Sequence, residues 1–213
     1  MFELSSKTFV NKKFRLTELF RTISADKTVK ADAKNVLSVT LSNVLSNETL
    51  NLSLHGTVKE IYIFDLVLSD KIVPSLFISA LDKAINLHTV FIIHNEGKQM
   101  LYGAFKEITD KGVKVGKYYS TEWKSENDKI DLPLNVSCID DIYTTIIDVL
   151  IPIEPRQNES TAEFVARYEE INKLKKEIDK LQRLVDSEKQ PKKRFELNDE
   201  LKMLKKELER LDN

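Results

Sequence analysis

The heptad register of the C-terminal segment constrains this chain more than any other feature. Phe164, Ile171, Ile178 and Val185 fall at every seventh position, with Leu174 and Leu181 between them at the matching offset. After Pro191 the apolar series resumes as Leu197, Leu201, Leu204, Leu208 and Leu211. Apolar residues at this spacing share one side of a helix, so each segment carries one seam. A single unbroken helix is excluded. Extending the first register past Val185 places Leu197 outward and puts Lys192 and Asp199 on the seam. A proline inside that helix would cost a further ~3 kcal/mol. The pattern predicts a turn near residues 187–192 and an antiparallel coiled-coil hairpin. Arg167 occupies a seam position near the base, where the regular coiled coil is expected to stop.

Flanking positions hold Glu170, Lys175, Glu177, Glu200, Lys205 and Glu207, a mixed-sign pattern that aids solubility and register. Lys189, Lys192, Lys193 and Arg194 cluster at the expected tip. Such a cluster is ordinarily solvated turn charge, and a nucleic-acid phosphate contact is its functional alternative. The hairpin as a whole is either a solvated stalk or an arm that grips another protein. Two helices with one seam each can satisfy each other without a partner, so the two readings weigh evenly. Pairing of two hairpins into a four-helix bundle, giving a homo-oligomer, is a variant of the second.

Of 213 residues, 41% are hydrophobic and 31% charged, a bias that the Lys- and Glu-filled heptads largely explain. Setting aside the linker and hairpin at 156–213 leaves roughly 155 residues, enough for a core of their own. The net charge of −1 argues against a globally basic nucleic-acid binder. The single cysteine, Cys138, cannot form an internal disulfide, which fits a reducing compartment. The opening MFELSSKTFVNKKF lacks a signal-peptide shape, and no run of about 18 apolar residues occurs. The expectation is a soluble cytoplasmic protein without a membrane span.

Residues 1–155 read as an α+β domain: a mixed β-sheet with packed helices, ahead of the hairpin. Residues 14–36 suit two short helices, with Ser24 or Asp26 capping the second. Leu37, Val39 and Leu41, then Leu50, Leu52 and Leu54, suggest two strands around a turn at Ser46-Asn47. Val58 to Leu68 reads as a strand buried on both faces. A helix follows from Leu76 to Ile85, with Leu76, Phe77, Ala80, Leu81 and Ala84 inward. Thr89–Ile93, Met100–Glu107 and Val113–Tyr119 read as strands, with a hairpin turn at Asn95-Glu96-Gly97-Lys98. This β-α-β-β-β order predicts a sheet with one crossover helix. Ile139 to Leu150 forms a helix that Pro152 and Pro155 end, with Ile142, Ile146, Val149 and Leu150 on one side.

No diagnostic catalytic motif is present. Glu96-x-Lys98 downstream of Asp65 is similar to the Asp…Glu-x-Lys pattern of metal-dependent nucleases. That chemistry needs carboxylates on a hard divalent cation and a lysine near the attacked phosphate. Turns collect Glu, Gly and Lys for backbone reasons, which is the plainer account. His55, His88 and His94 lack the spacing of a zinc site, and His88 is expected to be a hydrogen-bonded edge residue. With five glycines and no phosphate-binding loop, no cofactor is expected. Tyr118-Tyr119-Ser120-Thr121-Glu122-Trp123 concentrates amphipathic rings at a strand end. Core packing is the first reading, and a protein-contact patch the second.

Leu81-Asp82-Lys83-Ala84-Ile85, His88, Phe91, the Tyr118–Trp123 string and Phe195-Glu196-Leu197-Asn198-Asp199-Glu200-Leu201-Lys202 form a set. Together they resemble the bacterial family called domain of unknown function 4391, over nearly the whole chain. Members typically have a proline where this chain has Asn86, a departure that alters only the helix end. No activity is established for that family, and none of the motifs that carry the resemblance is catalytic. The resemblance implies an accessory role beside the helicases and DNA methyltransferases of restriction or phage-defence systems. A protein partner of that kind, such as a helicase or methyltransferase subunit, is the expectation. Lys83, His88, Tyr118, Tyr119, Glu122 and Trp123 are the candidate contact residues.

Overall fold

The computed structural model describes residues 2, 4–52, 56–110, 112–129 and 136–212. Their contacts fall into two units, Met1–Pro152 and Ile153–Asn213.

Among the described residues the first unit has seven strands: β1 (Phe9–Phe14), β2 (Val36–Ser46), β3 (Glu60–Leu68), β4 (His88–Asn95), β5 (Lys98–Thr109), β6 (Gly112–Ser120) and β7 (Lys124–Ser125). Six lie in the order β1-β2-β3-β4-β5-β6, and β7 pairs with β5. Every pairing is antiparallel except β3 with β4. That parallel pair needs a crossover, which α4 (Ser75–Lys83) supplies. The fold class is therefore α+β with a mixed sheet, as the pattern predicts.

One face of the sheet packs against α1 (Leu16–Thr22), α2 (Lys27–Asp32) and α4. Phe64, Leu66, Phe77, Leu81, Phe91 and Ile93 form the centre of this core, each at most 4% exposed. Burying such a side chain contributes roughly 1.5–3 kcal/mol. The start of α4 borrows its cap. Asp32, at the end of α2, accepts from the main-chain N–H groups of Leu76 (2.9 Å) and Phe77 (3.0 Å). A carboxylate there satisfies orphan donors and suits the positive end of the helix. On the opposite face lies α5 (Ile139–Leu150), which buries Ile142, Tyr143, Ile146 and Leu150. Phe105 stacks on Tyr143, and a Cβ on Gly103 would lie 3.1 Å from Leu150. Gly103 is the small residue that lets α5 approach β5.

The Asn95–Lys98 hairpin forms as expected. Glu96 (φ 47°) and Gly97 (φ 72°) both take the left-handed values of a two-residue turn. Other expectations fail for identifiable reasons. The second strand predicted around residues 50–54 is absent over its described part. Ser46 instead caps a short helix, α3 (Asn47–Leu50), through a reciprocal Ser46–Thr49 pair. His55 and Leu54 lie outside the described residues. Leu37 is 65% exposed, unlike Val39 and Leu41, because β2 carries an extra residue there opposite Leu68 and Val67. Leu76 is 49% exposed and Ala84 is exposed, so the inward face of α4 is Phe77, Ile78, Leu81 and Asp82. Strand β1 escaped the periodicity because FVNKKF is charged and bulged, with Asn11 at φ 51°.

The second unit is the hairpin. Helix α6 (Thr161–Ser187) and helix α7 (Pro191–Asp212) are about 40 and 33 Å long at 1.5 Å per residue. Pro191 opens α7, where its missing N–H costs nothing. Ser160 and Glu163 form a capping box at the start of α6. Ile171, Leu174, Ile178, Leu181, Val185 and Leu201 are buried, and Leu197, Leu204 and Leu208 pack against the cluster. Leu211 is half-buried at the far end. The regular seam ends at Arg167, and the structure gives that residue a task. Its guanidinium pairs with Glu159 (2.7 Å) and donates to the carbonyls of Glu154 (2.8 Å) and Leu211 (3.1 Å). Arg156 donates to the carbonyls of Arg210 (2.8 Å) and Leu211 (2.9 Å). Two guanidinium groups thus cap the negative end of α7 and close the base of the hairpin.

Candidate functional site

Asp82, Thr89 and His88, three buried polar residues of the first unit, gather around Lys106. Its side chain is 1% exposed, and the ammonium donates to the Asp82 carboxylate, the Asp82 carbonyl and the Ile85 carbonyl, each at 2.7 Å. Thr89 donates to the same carboxylate oxygen of Asp82, and Tyr118 donates to the other at 2.6 Å. All three ammonium protons and both carboxylate oxygens are thereby used. Burial lowers the Lys106 pKa, and the Asp82 charge opposes that shift. Burial first, and the Asp82 charge second, push the Tyr118 hydroxyl far above its ordinary range. Lys106 also caps the C-terminal carbonyls of α4, a favourable place for a cation. The cluster is chemically complete and offers no free nucleophile or base.

His88 extends this network. It is 6% exposed and lies on an interior strand, so it is not an edge residue. Its Nε2 faces the Lys106 carbonyl at 3.2 Å; a carbonyl only accepts, so Nε2 carries the proton. Nδ1 is buried without a partner. Burial is the main cause that lowers its pKa to about 4, leaving a neutral imidazole. The Lys106 main-chain N–H donates to the Tyr143 hydroxyl at 2.8 Å. The His88 and Tyr143 rings meet edge to face at 4.3 Å. Beside His88 lies a cavity of about 440 Å³, rimmed by Thr57, Lys59, Asn86, Thr109 and Asp110. Among the described residues no hydroxyl or thiol is hydrogen-bonded to the ring, so a His-activated nucleophile is not assembled.

On the same sheet face His94 sits between two carboxylates, with Nε2 3.3 Å from Asp65 and Nδ1 3.3 Å from Glu126. Burial would lower its pKa, but the Asp65 hydrogen bond and charge, joined by Glu126, raise it overall. Both ring nitrogens face an acceptor, so neither lone pair is left for a cation. Among the described residues no three His, Cys, Asp or Glu side chains form a metal-binding group. Asp65 is thus joined to His94. No hydrogen bond or ion pair links it to Glu96 or Lys98, which are exposed at the β4–β5 turn.

The Tyr118–Trp123 string packs inward. Tyr118 stacks on Tyr102 at 5.2 Å, and Trp123 packs against the core. Tyr119 is half-buried, while Glu122 and Lys83 are exposed. Tip residues Lys189, Lys192, Lys193 and Arg194 are exposed, and Lys193 pairs with Glu188 at 3.2 Å. The Asp82–Lys106 pair was missed from sequence, although a signal existed. Asp82 lies four residues after the apolar Ile78, and Lys106 continues the Met100, Tyr102, Ala104 alternation.

A family model described as Domain of unknown function (DUF4391) matches residues 2–208. The chain belongs to this family. The match spans both units of this DUF4391 protein, so the hairpin belongs to the family pattern along with the sheet. Neither curated proteins nor solved structures offered a match to it. No helix among the described residues is long and apolar enough to cross a membrane.

Proposed function

We propose that this chain is a non-enzymatic accessory protein, a helper subunit of a bacterial restriction or phage-defence system that works through protein–protein contacts. One observation carries the reading. The hairpin seam is satisfied internally, yet Phe195 (65% exposed), Met203 (68%) and Leu184 (47%) remain outside it. Large apolar side chains on otherwise charged helices favour a contact surface, since aromatic residues and Met are enriched in the cores of interfaces. The Lys106 and His94 clusters support the same reading, because their charged groups are spent on one another. The expected partner is a helicase or DNA methyltransferase subunit encoded nearby, which would act on the DNA itself.

Co-purification of the full chain with such a subunit tests this. Phe195→Asp combined with Met203→Asp should abolish capture while leaving helical content unchanged. Undiminished capture by that variant would remove the hairpin from the interface. No capture of any neighbouring subunit by the wild-type chain would remove the helper role.

A further inference from the structure

Helix α6 carries a second stripe besides its seam. Lys173, Lys176, Lys180 and Arg183 each lie two residues after a seam residue, namely Ile171, Leu174, Ile178 and Leu181. Two residues turn a helix by about 200°, so this stripe faces directly away from the seam. All four side chains are exposed. Lys173 has Glu170 at 3.5 Å, whereas Lys176, Lys180 and Arg183 hold no ion pair among the described residues. The stripe runs toward the turn, where Lys189, Lys192 and Arg194 are likewise exposed and without an ion pair among the described residues. From Lys173 to Arg183 the stripe itself holds only cations; Glu169 precedes it and Asp179 borders it.

An unbroken run of like charges along one line of a helix is costly. Like charges three or four residues apart repel by a few tenths of a kcal/mol per pair. A helix that only needs solvation gains more by interleaving signs. Cations at one-turn spacing instead suit a regular line of negative charges. Lys176, Lys180 and Arg183 border a shallow concavity that also includes Leu184 and Asp179. Arg and Lys there can each neutralise one phosphate and release its counterions.

We infer that the outward face of α6, continuing to the hairpin tip, is a docking surface for the phosphate backbone of a nucleic acid. Recognition is electrostatic and independent of sequence, because no side chain in the stripe is placed to read a base edge while the helix back lies along a backbone. The site goes beyond the protein-contact reading; it excludes Phe195 and Met203 and meets that surface only at Leu184. It explains how a protein of net charge −1 can hold nucleic acid: the charge is local.

Fluorescence anisotropy of the full chain with a labelled mixed-sequence duplex and single strand, titrated with salt, tests the inference. The wild-type chain should bind at low salt and weaken steeply as salt rises. Lys176→Glu/Lys180→Glu/Arg183→Glu should lose at least about tenfold in affinity and flatten the salt slope by about 3. The uncharged set Lys176→Gln/Lys180→Gln/Arg183→Gln should show a smaller loss in the same direction. A control of equal net charge, Lys202→Glu/Lys206→Glu/Arg210→Glu on α7, should stay within about twofold of wild type. Circular dichroism verifies the helices in each variant. No binding of either probe at low salt overturns the proposal. So does equal loss in the α7 control, which would reduce the effect to net charge. Polyglutamate competing as well as DNA at matched charge would assign the stripe to an acidic protein partner instead.

Discussion

Single residues set how the sheet tolerates charge. A fully buried ion pair is not itself a large source of stability, but removing one member strands the other. Lys106→Met is therefore expected to cost about 3–5 kcal/mol in urea unfolding, by leaving the buried Asp82 carboxylate without its counter-charge and the Ile85 carbonyl without its ammonium donor. A loss under 1 kcal/mol would mean that Asp82 relaxes to water. The two histidines act in opposite senses. The His88 value of about 4 lies below the ordinary 6.5, so between these pH values the unfolded chain binds the proton more readily. Stability from that site is intact above pH 6.5 and falls as pH drops toward 4, by roughly 3 kcal/mol in all. His94 is raised, so its contribution is full below pH 6.5 and fades as pH climbs through the higher folded value. Unfolding midpoints of His88→Gln should show a flatter acid limb than wild type. Those of Asp65→Asn should lose the His94 contribution near and below pH 6.5. An unchanged acid limb in His88→Gln would show that His88 protonates without penalty.

At the scale of elements, long periodic segments were legible and locally bent ones were not. The seams of α6 and α7, the extent of α5 and the β4–β5 turn follow from spacing and from Gly97, because each is decided within a few neighbouring residues. Strand β2 is decided by its partner: extra residues at Leu37 and Ser42 rotate the side chains that follow, which alternation alone cannot show. The candidate site failed for a similar reason. Asp82 and Lys106 meet only when α4 crosses onto the sheet, and neither charge is unusual in its own segment. Arg167 illustrates the reverse, since its misfit in the heptad was visible while its partners were not. Arg167→Leu should extend the apolar seam yet loosen the base of the hairpin. Amide exchange over the last turn of α7 should rise by about tenfold or more, reflecting a loss of at least 1.4 kcal/mol in charged hydrogen bonds. Unaltered exchange would show that the added seam outweighs the lost cap.

For the whole molecule, the division into two units predicts separable folding. Residues 1–152 expressed alone should unfold in one cooperative step, with Trp123 reporting through its near-ultraviolet signal. A broad, non-cooperative transition would show that the sheet needs the hairpin to fold. Within that unit, the Lys106 ammonium bears on the order of events during folding. The strands bring Lys106 to the underside of α4 as a hydrated cation, and it cannot shed that water until Asp82 arrives with the helix. The helix cannot settle first either, since Asp82 would then be buried with only the neutral donors Thr89 and Tyr118 and no counter-charge. Dehydration of the amine and docking of α4 are thus one step, which gives a half-docked helix, with its apolar face open to other chains, little time to exist.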